Sequence, residues 1–397
     1  MERTDLHASI CIIGGGSAGF GAACMAARAG CTRVALVESG HALGGTSTLG
    51  GVCCWEPGVA GPGLHYEVFE RLNAIPGAVA IGRTTKRYTP DEPWGLSGVD
   101  PTARYGQTLR RCGLDPSHWR RVTFEPWAMQ RVMHDIVRKA GDASLLFSTV
   151  CRDVHVRDGR IKWIEVVDTT GSPIRIHAEQ FLDCSADIAP TRMAGCSVVR
   201  GEDARSTHAE PSAPETAGPT VNGVSLLFRI SRDPHLPPDR PVSAVAGAEA
   251  RDWATGTTHS ASINQLPSGD LSINVLPTME GSEYPSLPSH EATRRCRERT
   301  FAYWESLREA HSFFKPYRLR CCAPRVGVRE SYRLRGRSVL TEQDVRGGLD
   351  HRCRTKHAIA YADHALDTHG RSRTSITGAA ELEEPYGVEW ELSLIHI

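Results

Sequence analysis

What the chain lacks narrows it first. Among its 397 residues no apolar run approaches the ~20 residues of a membrane-spanning helix. Lys plus Arg and Asp plus Glu both number 46, so no net charge argues for nucleic acid or an anionic membrane as partner. Cysteine is plentiful at 13, yet no Cys-x-x-Cys occurs, and the only close pairs are Cys53-Cys54 and Cys321-Cys322. Such scatter gives no scaffold for an iron–sulfur cluster or zinc, and an odd, unpatterned set reads as reduced thiols rather than a disulfide framework. Histidine shows no ligand spacing: His351, His357, His364 and His369 are separated by six, seven and five residues, none of them the i, i+4 pair that shares a helix face. No metal is expected. A second Gly-x-Gly-x-x-Gly is missing too, which excludes a built-in nicotinamide domain of the usual kind. The first apolar run starts at Ile10, leaving no room for a signal peptide, and the expected compartment is the cytoplasm.

What is present centres on Ile10 to Glu38, ICIIGGGSAGFGAACMAARAGCTRVALVE. An apolar run stops at three glycines, an Ala-rich helical segment follows, and the apolar run Val34 to Val37 ends in Glu38. That predicts strand, tight turn, helix, strand. Gly14, Gly16 and Gly19 supply the tight turn, the close backbone approach and the helix packing that a dinucleotide diphosphate needs. The helix beginning near Ser17 and Ala18 points its free N–H groups at the anion. Glu38, with Ser39 after it, stands at the roughly 20-residue spacing where a carboxylate takes ribose hydroxyls. A glycine turn in some other α/β fold is the bland alternative, and at this point NAD and FAD are both open.

The next stretch, His41 to Val52, is a second glycine-rich loop carrying Gly44, Gly45, Thr46, Gly50, Gly51 and Val52. Together with GGGSAG and Glu38, GGTSTLGGV before Trp55, FLDCSADIAPTRMAGC from Phe181 to Cys196, PRVGVRESYRLRG from Pro324 to Gly336 and LTEQDV from Leu340 to Val345, it resembles the FAD-dependent oxidoreductase family. That family is grouped loosely with the flavoprotein subunit of heterodisulfide reductase and more remotely with fumarate reductase flavoproteins. The resemblance implies FAD as cofactor, with the second loop near the flavin. It also implies that Val150, Asp183, Ser185 and Asp187 close against FAD, Ala186 standing at that motif's usual glycine. The alternative for Asp187 is a helix cap. FAD disulfide reductases carry redox cysteines where this chain has Ser47 and Val52, so dithiol exchange lacks its nucleophile. Cys53 and Cys54 either line the flavin site or simply fill a tight loop.

The expected fold is α/β, a Rossmann-like FAD-binding domain with a three-layer doubly wound sheet and an inserted α+β substrate domain. Residues 1–201 form the FAD domain, with 57–122 an irregular cap and 144–180 a β-meander signalled by Asp158-Gly159. Within the cap, helical pieces are expected at Tyr66–Asn73 and Thr102–Cys112. An amphipathic helix follows over Glu125 to Ala140, stopped by Gly141, and Phe181–Cys184 is a separate return strand. After a proline-rich boundary at 202–220, residues 221–320 form the substrate domain: a strand over Val221–Ile230, a hairpin around Pro267 to Asp270 and a helix over His290–Ala310. Residues 321–391 return to the FAD domain. The last six residues, LSLIHI, are what the common transposon-end sequencing adapter spells in one frame. They are expected to be a non-native tail, since relatives continue past Pro385-Tyr386-Gly387 with elements that complete the flavin pocket.

Arginine crowds Arg294 to Arg337. Arg329 and Arg333 stand four apart, so on a helix they share a face, where a guanidinium anchors a substrate carboxylate or steadies reduced flavin. The alternative is a solvated, ion-paired surface. His369 falls where the resembling family has a His and Asp close together, a position for a proton donor or for a loop histidine holding a carbonyl. The resemblance implies an FAD-dependent oxidoreductase that moves hydride or electrons between a small polar substrate and an external acceptor or donor. A non-catalytic electron-transfer or scaffold subunit is the rival, and a flavin monooxygenase or halogenase is disfavoured by the lack of a second tryptophan-rich motif.

Overall fold

The apolar runs flanking the first glycine turn become neighbouring parallel strands, β1 (Thr4–Ile13) and β2 (Val34–Val37), with Ile10 opposite Val34 and Ile13 opposite Val37. The computed structural model describes residues 4–55, 63–82, 110, 121–233, 235, 248–251, 258–275, 277–352, 358–362 and 385–389. Beyond the second loop come β3 (Cys54–Trp55), β4 (Val79–Gly82), β5 (Arg121–Phe124), β6 (Ala143–Leu146), β7 (Val150–Arg157), β8 (Arg160–Val167) and β9 (Pro173–Asp183). The main sheet has the order β6-β2-β1-β9-β8-β7, parallel from β6 to β9 and antiparallel across β8 and β7. A small antiparallel sheet, β3-β5-β4, lies beside it.

Alternation along β1 sends side chains to two cores. Ile12 faces α1 (Ser17–Arg28), α2 (Leu64–Asn73) and α3 (Pro126–Ala140), while Cys11 and Ile13 face a second apolar cluster with Cys151, Val154, Ile164 and Val166 of the meander. Helices thus cover one face of the sheet and apolar side chains of its own meander strands pack against the other, within the α/β architecture expected. Gly, Ala and Cys on the buried face of α1 let it sit close on the sheet. In α3 a proline in the first turn and Arg138 and Lys139 in the last suit the free amides at one end and the dipole at the other. Its buried face, Ala128, Met129, Val132, Met133, Ile136 and Val137, holds the Val132, Met133, Ile136 and Val137 expected from the sequence, whereas Trp127, expected in the same stripe, is exposed.

Three expectations change. Ser144–Leu146 is not the first strand of the meander: it lies in β6, paired in parallel with β2, and the chain turns at Ser148, φ +50°, before β7. No Gly or Pro marks that turn, so pattern alone put the break between Val150 and Cys151 and counted both pieces into the meander. Nor is Phe181–Asp183 a separate return strand, because β9 runs unbroken from Pro173 to Asp183 and pairs with β1 from Thr4↔Ile174 to Ile13↔Asp183. Of the Val221–Ile230 run only Phe228–Ile230 is regular strand, continuing to Arg232, and Val224 and Ser225 make isolated bridges to Met279 and Gly327.

The second half holds α4 (Ala189–Met193), β10 (Val198–Arg200), α5 (Arg205–His208), β11 (Phe228–Arg232), β12 (Ala248–Arg251), β13 (Thr258–Gln265), β14 (Leu271–Val275), α6 (Ser289–Ala310), β15 (Tyr317–Cys322), β16 (Tyr332–Leu334), α7 (Glu342–Arg352, interrupted at Gly348), β17 (Ala358–Ala362) and β18 (Tyr386–Glu389). An antiparallel five-stranded sheet has the order β12-β13-β14-β11-β15, and one of its faces packs Phe228, Ile230, Ile273 and Tyr317 against Tyr303, Trp304 and Leu307 of α6. Its last strand runs through residue 320 to Cys322. Most of 57–122, most of Thr102–Cys112, His369 and 392–397 lie outside the described residues. Among the described residues no helix is long and apolar enough to cross a membrane, and no cluster of His, Cys, Asp and Glu has the makings of a metal site.

Candidate functional site

The first glycine turn is packed on two sides and open on the third. Gly14 sits at φ +104°, and a Cβ there meets the Cys184 carbonyl oxygen at 2.5 Å, so β9 lies hard against the turn. A Cβ on Gly19 meets the Gly14 carbonyl at 1.8 Å, which is how the helix closes on the strand. At Gly16 a Cβ meets nothing within 4 Å. Gly16 is also the N-cap of α1, makes no side-chain cap bond, and is followed by exposed Ser17 and Ala18. Uncapped amides facing open space are an anion seat.

Glu38 closes one end of that seat. It is 3% exposed, and a buried carboxylate persists only with donors around it. Gly15 N–H donates to its Oε2 at 2.7 Å, Gly40 N–H and the Ser39 hydroxyl donate to Oε1, and Arg325 reaches Oε1 at 3.4 Å. The turn before β7 packs on the same corner: Thr149 N–H donates to Glu38 O and Ser148 N–H to Gly40 O, which places Val150 just behind it.

The second loop is folded onto the first. Gly44 N–H donates to Gly15 O at 2.8 Å, and a Cβ on Gly45 meets Gly16 Cα at 3.2 Å. From there the loop makes a 3-10 turn over Gly45–Ser47, and Val52 N–H returns to Thr46 O. Its far side runs antiparallel to the chain leaving β15: Arg325 N–H donates to Leu49 O at 3.0 Å, and Gly51, at φ +75°, has Ala323 where a Cβ goes. Thr46 and Val52 stay exposed. Cys53 is buried, and burial, then the nearby Glu125, push its thiol up to about 12, so the structure gives it the character of a filler rather than a nucleophile.

Against this loop the five-stranded sheet turns a polar face. Ser272, Arg229 and Cys321 are cross-strand partners, and Ser272 Oγ donates to Gly51 O. Arg229 is fully engaged: Nε bonds Asp270, Nη1 and Nη2 bond Glu125 at 2.7 and 3.2 Å, and Nη2 also bonds Ser268. Glu125 directly precedes α3, so one guanidinium ties the second sheet to the first layer of helices.

At the end of β9, Asp183 accepts from Ser185 N–H and Oγ through one oxygen and from Thr191 N–H and Oγ1 through the other. Its carboxylate organises the 183–191 turn, and Ser185 Oγ also takes the Ala189 N–H. Asp187 is not the cap of α4: Ile188, at φ +43°, holds that position and Asp187 is exposed. The phenol of Tyr284 is raised above its usual range by burial, then by Cys296 and Asp187, while Arg325 opposes the shift. Tyr284 thus lies within electrostatic reach of Asp187 and Arg325, and Arg325 in turn touches Glu38.

Arg329 and Arg333 do not share a helix face. The segment from Pro324 to Ser331 is irregular, and Arg333 lies in β16 opposite Val199. Arg333 pairs with Asp203 and Glu330, both at 2.9 Å, whereas Arg329 is exposed and makes no bond among the described residues. Gly327 is held in a two-way bridge with Ser225, and that extended pairing won over the i, i+4 pattern. The arginine that meets the turn is Arg325, which no spacing singled out. Its one sequence signal was its place in the Pro324–Gly336 motif.

The family described as FAD dependent oxidoreductase matches residues 9–394. No curated protein matches the chain. Among solved structures it is similar to the myxobacterial chondrochloren halogenase, a variant of FAD-dependent halogenases, at 14% identity over 83% of this chain and 65% of that one, TM-score 0.47. A geranylgeranyl bacteriochlorophyll reductase-like protein from Thermoplasma acidophilum matches at 12% identity over 83% and 67%, TM-score 0.45. The p-nitrophenol 4-monooxygenase of Pseudomonas putida DLL-E4 matches at 12% over 85% and 71%, TM-score 0.43. The chain thus spans just under two thirds of the halogenase's length.

Proposed function

The chain belongs to the FAD dependent oxidoreductase family, and from that membership we propose that it moves hydride or electrons between a small polar substrate and an external acceptor. FAD is its cofactor, and the residues present fit it. The carrying observation is that the open space over Gly16, the uncapped start of α1 and the buried Glu38 carboxylate converge on one turn.

In this reading the amides after Gly16 hold the diphosphate, Glu38 takes the adenosine ribose hydroxyls, and the loop from Gly44 to Val52 lines the path toward the flavin. Bound FAD supplies the hydride or electron chemistry, and the protein contributes orientation and electrostatics. Val150 stands behind Glu38 on the adenosine side, while the turn organised by Asp183 holds Ser185 and Asp187 along the groove. The five-stranded sheet is the proposed substrate side. Its face toward the second loop carries Ser272, Arg229 and Cys321 rather than aromatic rings, which supports a polar substrate. With its donors engaged, Arg229 holds this wall in place and leaves Arg329 as the candidate for a substrate anion. His369 remains the proposed proton donor, and no observation favours a purely scaffolding subunit.

The test is purification of the chain, mass measurement of any released cofactor, and titration of the apoprotein with FAD. Glu38→Ala is expected to weaken FAD binding by at least about tenfold, the loss of two hydrogen bonds to a charged acceptor. Equal affinity in that variant rejects the ribose assignment. Flavin that is reduced by dithionite but reoxidised by no acceptor transfers the reading to an electron-transfer subunit.

A further inference from the structure

We propose that Arg325 is an exchangeable latch of the adenosine end: it closes on Glu38 when no nucleotide is bound and pairs with the dinucleotide's diphosphate when one is. The inference rests on the FAD reading above and adds a binding residue to it.

Acceptor counting carries the first step. A carboxylate offers about four lone-pair sites. Oε1 of Glu38 already faces the Gly40 amide, the Ser39 hydroxyl and two guanidinium nitrogens of Arg325, at 3.4 and 3.5 Å, while Oε2 faces the Gly15 amide. The two amides belong to the fixed backbone and cannot leave. Arg325 can, because its side chain is 43% exposed while that of Glu38 is 4% exposed. Oε2 keeps one free site, so a diol that takes both oxygens competes with Arg325 at Oε1 and with no other movable cation among the described residues.

The position is built, not accidental. A Cβ on Gly40 meets Arg325 Nη2 at 2.8 Å and Leu49 at 2.5 Å, so the absent side chain is what admits the guanidinium. The backbone of Arg325 is pinned by its N–H on Leu49 O, and Nη2 also bonds Ser39 Oγ at 3.3 Å. A pinned backbone with a long, half-exposed head leaves the guanidinium free to swing a few ångströms. The nearest anion that FAD brings is its diphosphate, seated at the start of α1, and guanidinium is the side chain best matched to phosphate oxygens. On release from Glu38 the cation thus keeps a partner, and the carboxylate exchanges a charged donor for the diol.

Fluorescence titrations of the whole chain test this with three probes: FAD, ADP and adenosine. Arg325→Gln is expected to weaken FAD and ADP about 10- to 100-fold at low salt, the loss of a charged hydrogen-bonding partner. The deficit should shrink as salt rises from about 0.05 to about 0.5 M. Adenosine, which has no phosphate, should bind the variant as well as or better than the wild type, because Glu38 is no longer occupied. Arg325→Lys should recover most of the ADP affinity, and unchanged circular dichroism and melting would show that both variants fold. Wild-type ADP affinity in Arg325→Gln overturns the latch, and so does an equal loss of ADP and adenosine, which would mean that Arg325 merely props Glu38. A wild-type chain that takes up no FAD at all overturns the cofactor reading instead.

Discussion

At the scale of single residues the three glycines of the first turn have different tasks, and substitution should separate them. Gly14 and Gly19 are needed by the fold, since any Cβ there collides with backbone at 2.5 and 1.8 Å. Gly16 is, in the proposed reading, needed by the ligand, since its missing Cβ meets nothing within 4 Å. Gly19→Ala is therefore expected to destabilise the chain by about 1–3 kcal/mol, the cost of overpacking a rigid contact, and to lower its denaturation midpoint. Gly16→Val should cost no more than about 1 kcal/mol, the N-cap preference for Gly over Val, and yet abolish FAD binding. A Gly16→Val protein that still takes up FAD would place the diphosphate elsewhere.

At the scale of elements, the five-stranded sheet meets the start of α3 at Glu125, which takes both Arg229 and the Ser268 amide. Arg229 is 18% exposed, and its partners Glu125 and Asp270 are 4% and 10% exposed. Removing one member of a buried ionic set costs about 3–5 kcal/mol, and here the lower end applies, because Glu125 loses its cation while Asp270 keeps Arg320 at 2.8 Å. Arg229→Met should lower stability by that amount, and adding Glu125→Gln should recover part of it. A double variant no better than the single one would argue against an unpaired carboxylate as the cause. Because Glu125 starts α3 and Ser272 reaches Gly51, loosening this clamp should also broaden the second loop's signals in amide hydrogen exchange.

At the scale of the whole molecule the thiols form a store of protons. Burial first of all pushes Cys11 and Cys53 from 9.0 up to about 12, and Cys24, Cys151, Cys184 and Cys296 up to about 11. Below pH 9 both folded and unfolded chains keep these groups protonated and stability is unaffected. Above it the unfolded chain ionises thiols that the folded chain holds neutral, so stability must fall between about pH 9 and 12. Denaturant midpoints at pH 8 and pH 10.5 measure the drop, and Cys11→Ala with Cys53→Ala should reduce it. A pH-independent midpoint would mean that these thiols are more hydrated than their packing implies.

The strand–turn–helix–strand of Ile10 to Glu38 was legible in the sequence because its determinants are local: apolar runs, glycines without alternatives, and a carboxylate at fixed spacing. α3 and the hairpin around Gly269 were legible for the same reason. Where segments distant in sequence meet, local pattern had nothing to report. The parallel pairing of β6 with β2, the unbroken length of β9 and the extended course of Pro324 to Ser331 were all set by partners far along the chain. Glu38 could be read as a ribose ligand from 38 residues of sequence. That its carboxylate is met by a guanidinium 287 positions away was decided by tertiary structure alone, because only folding brings the loop after β15 onto the tip of β2.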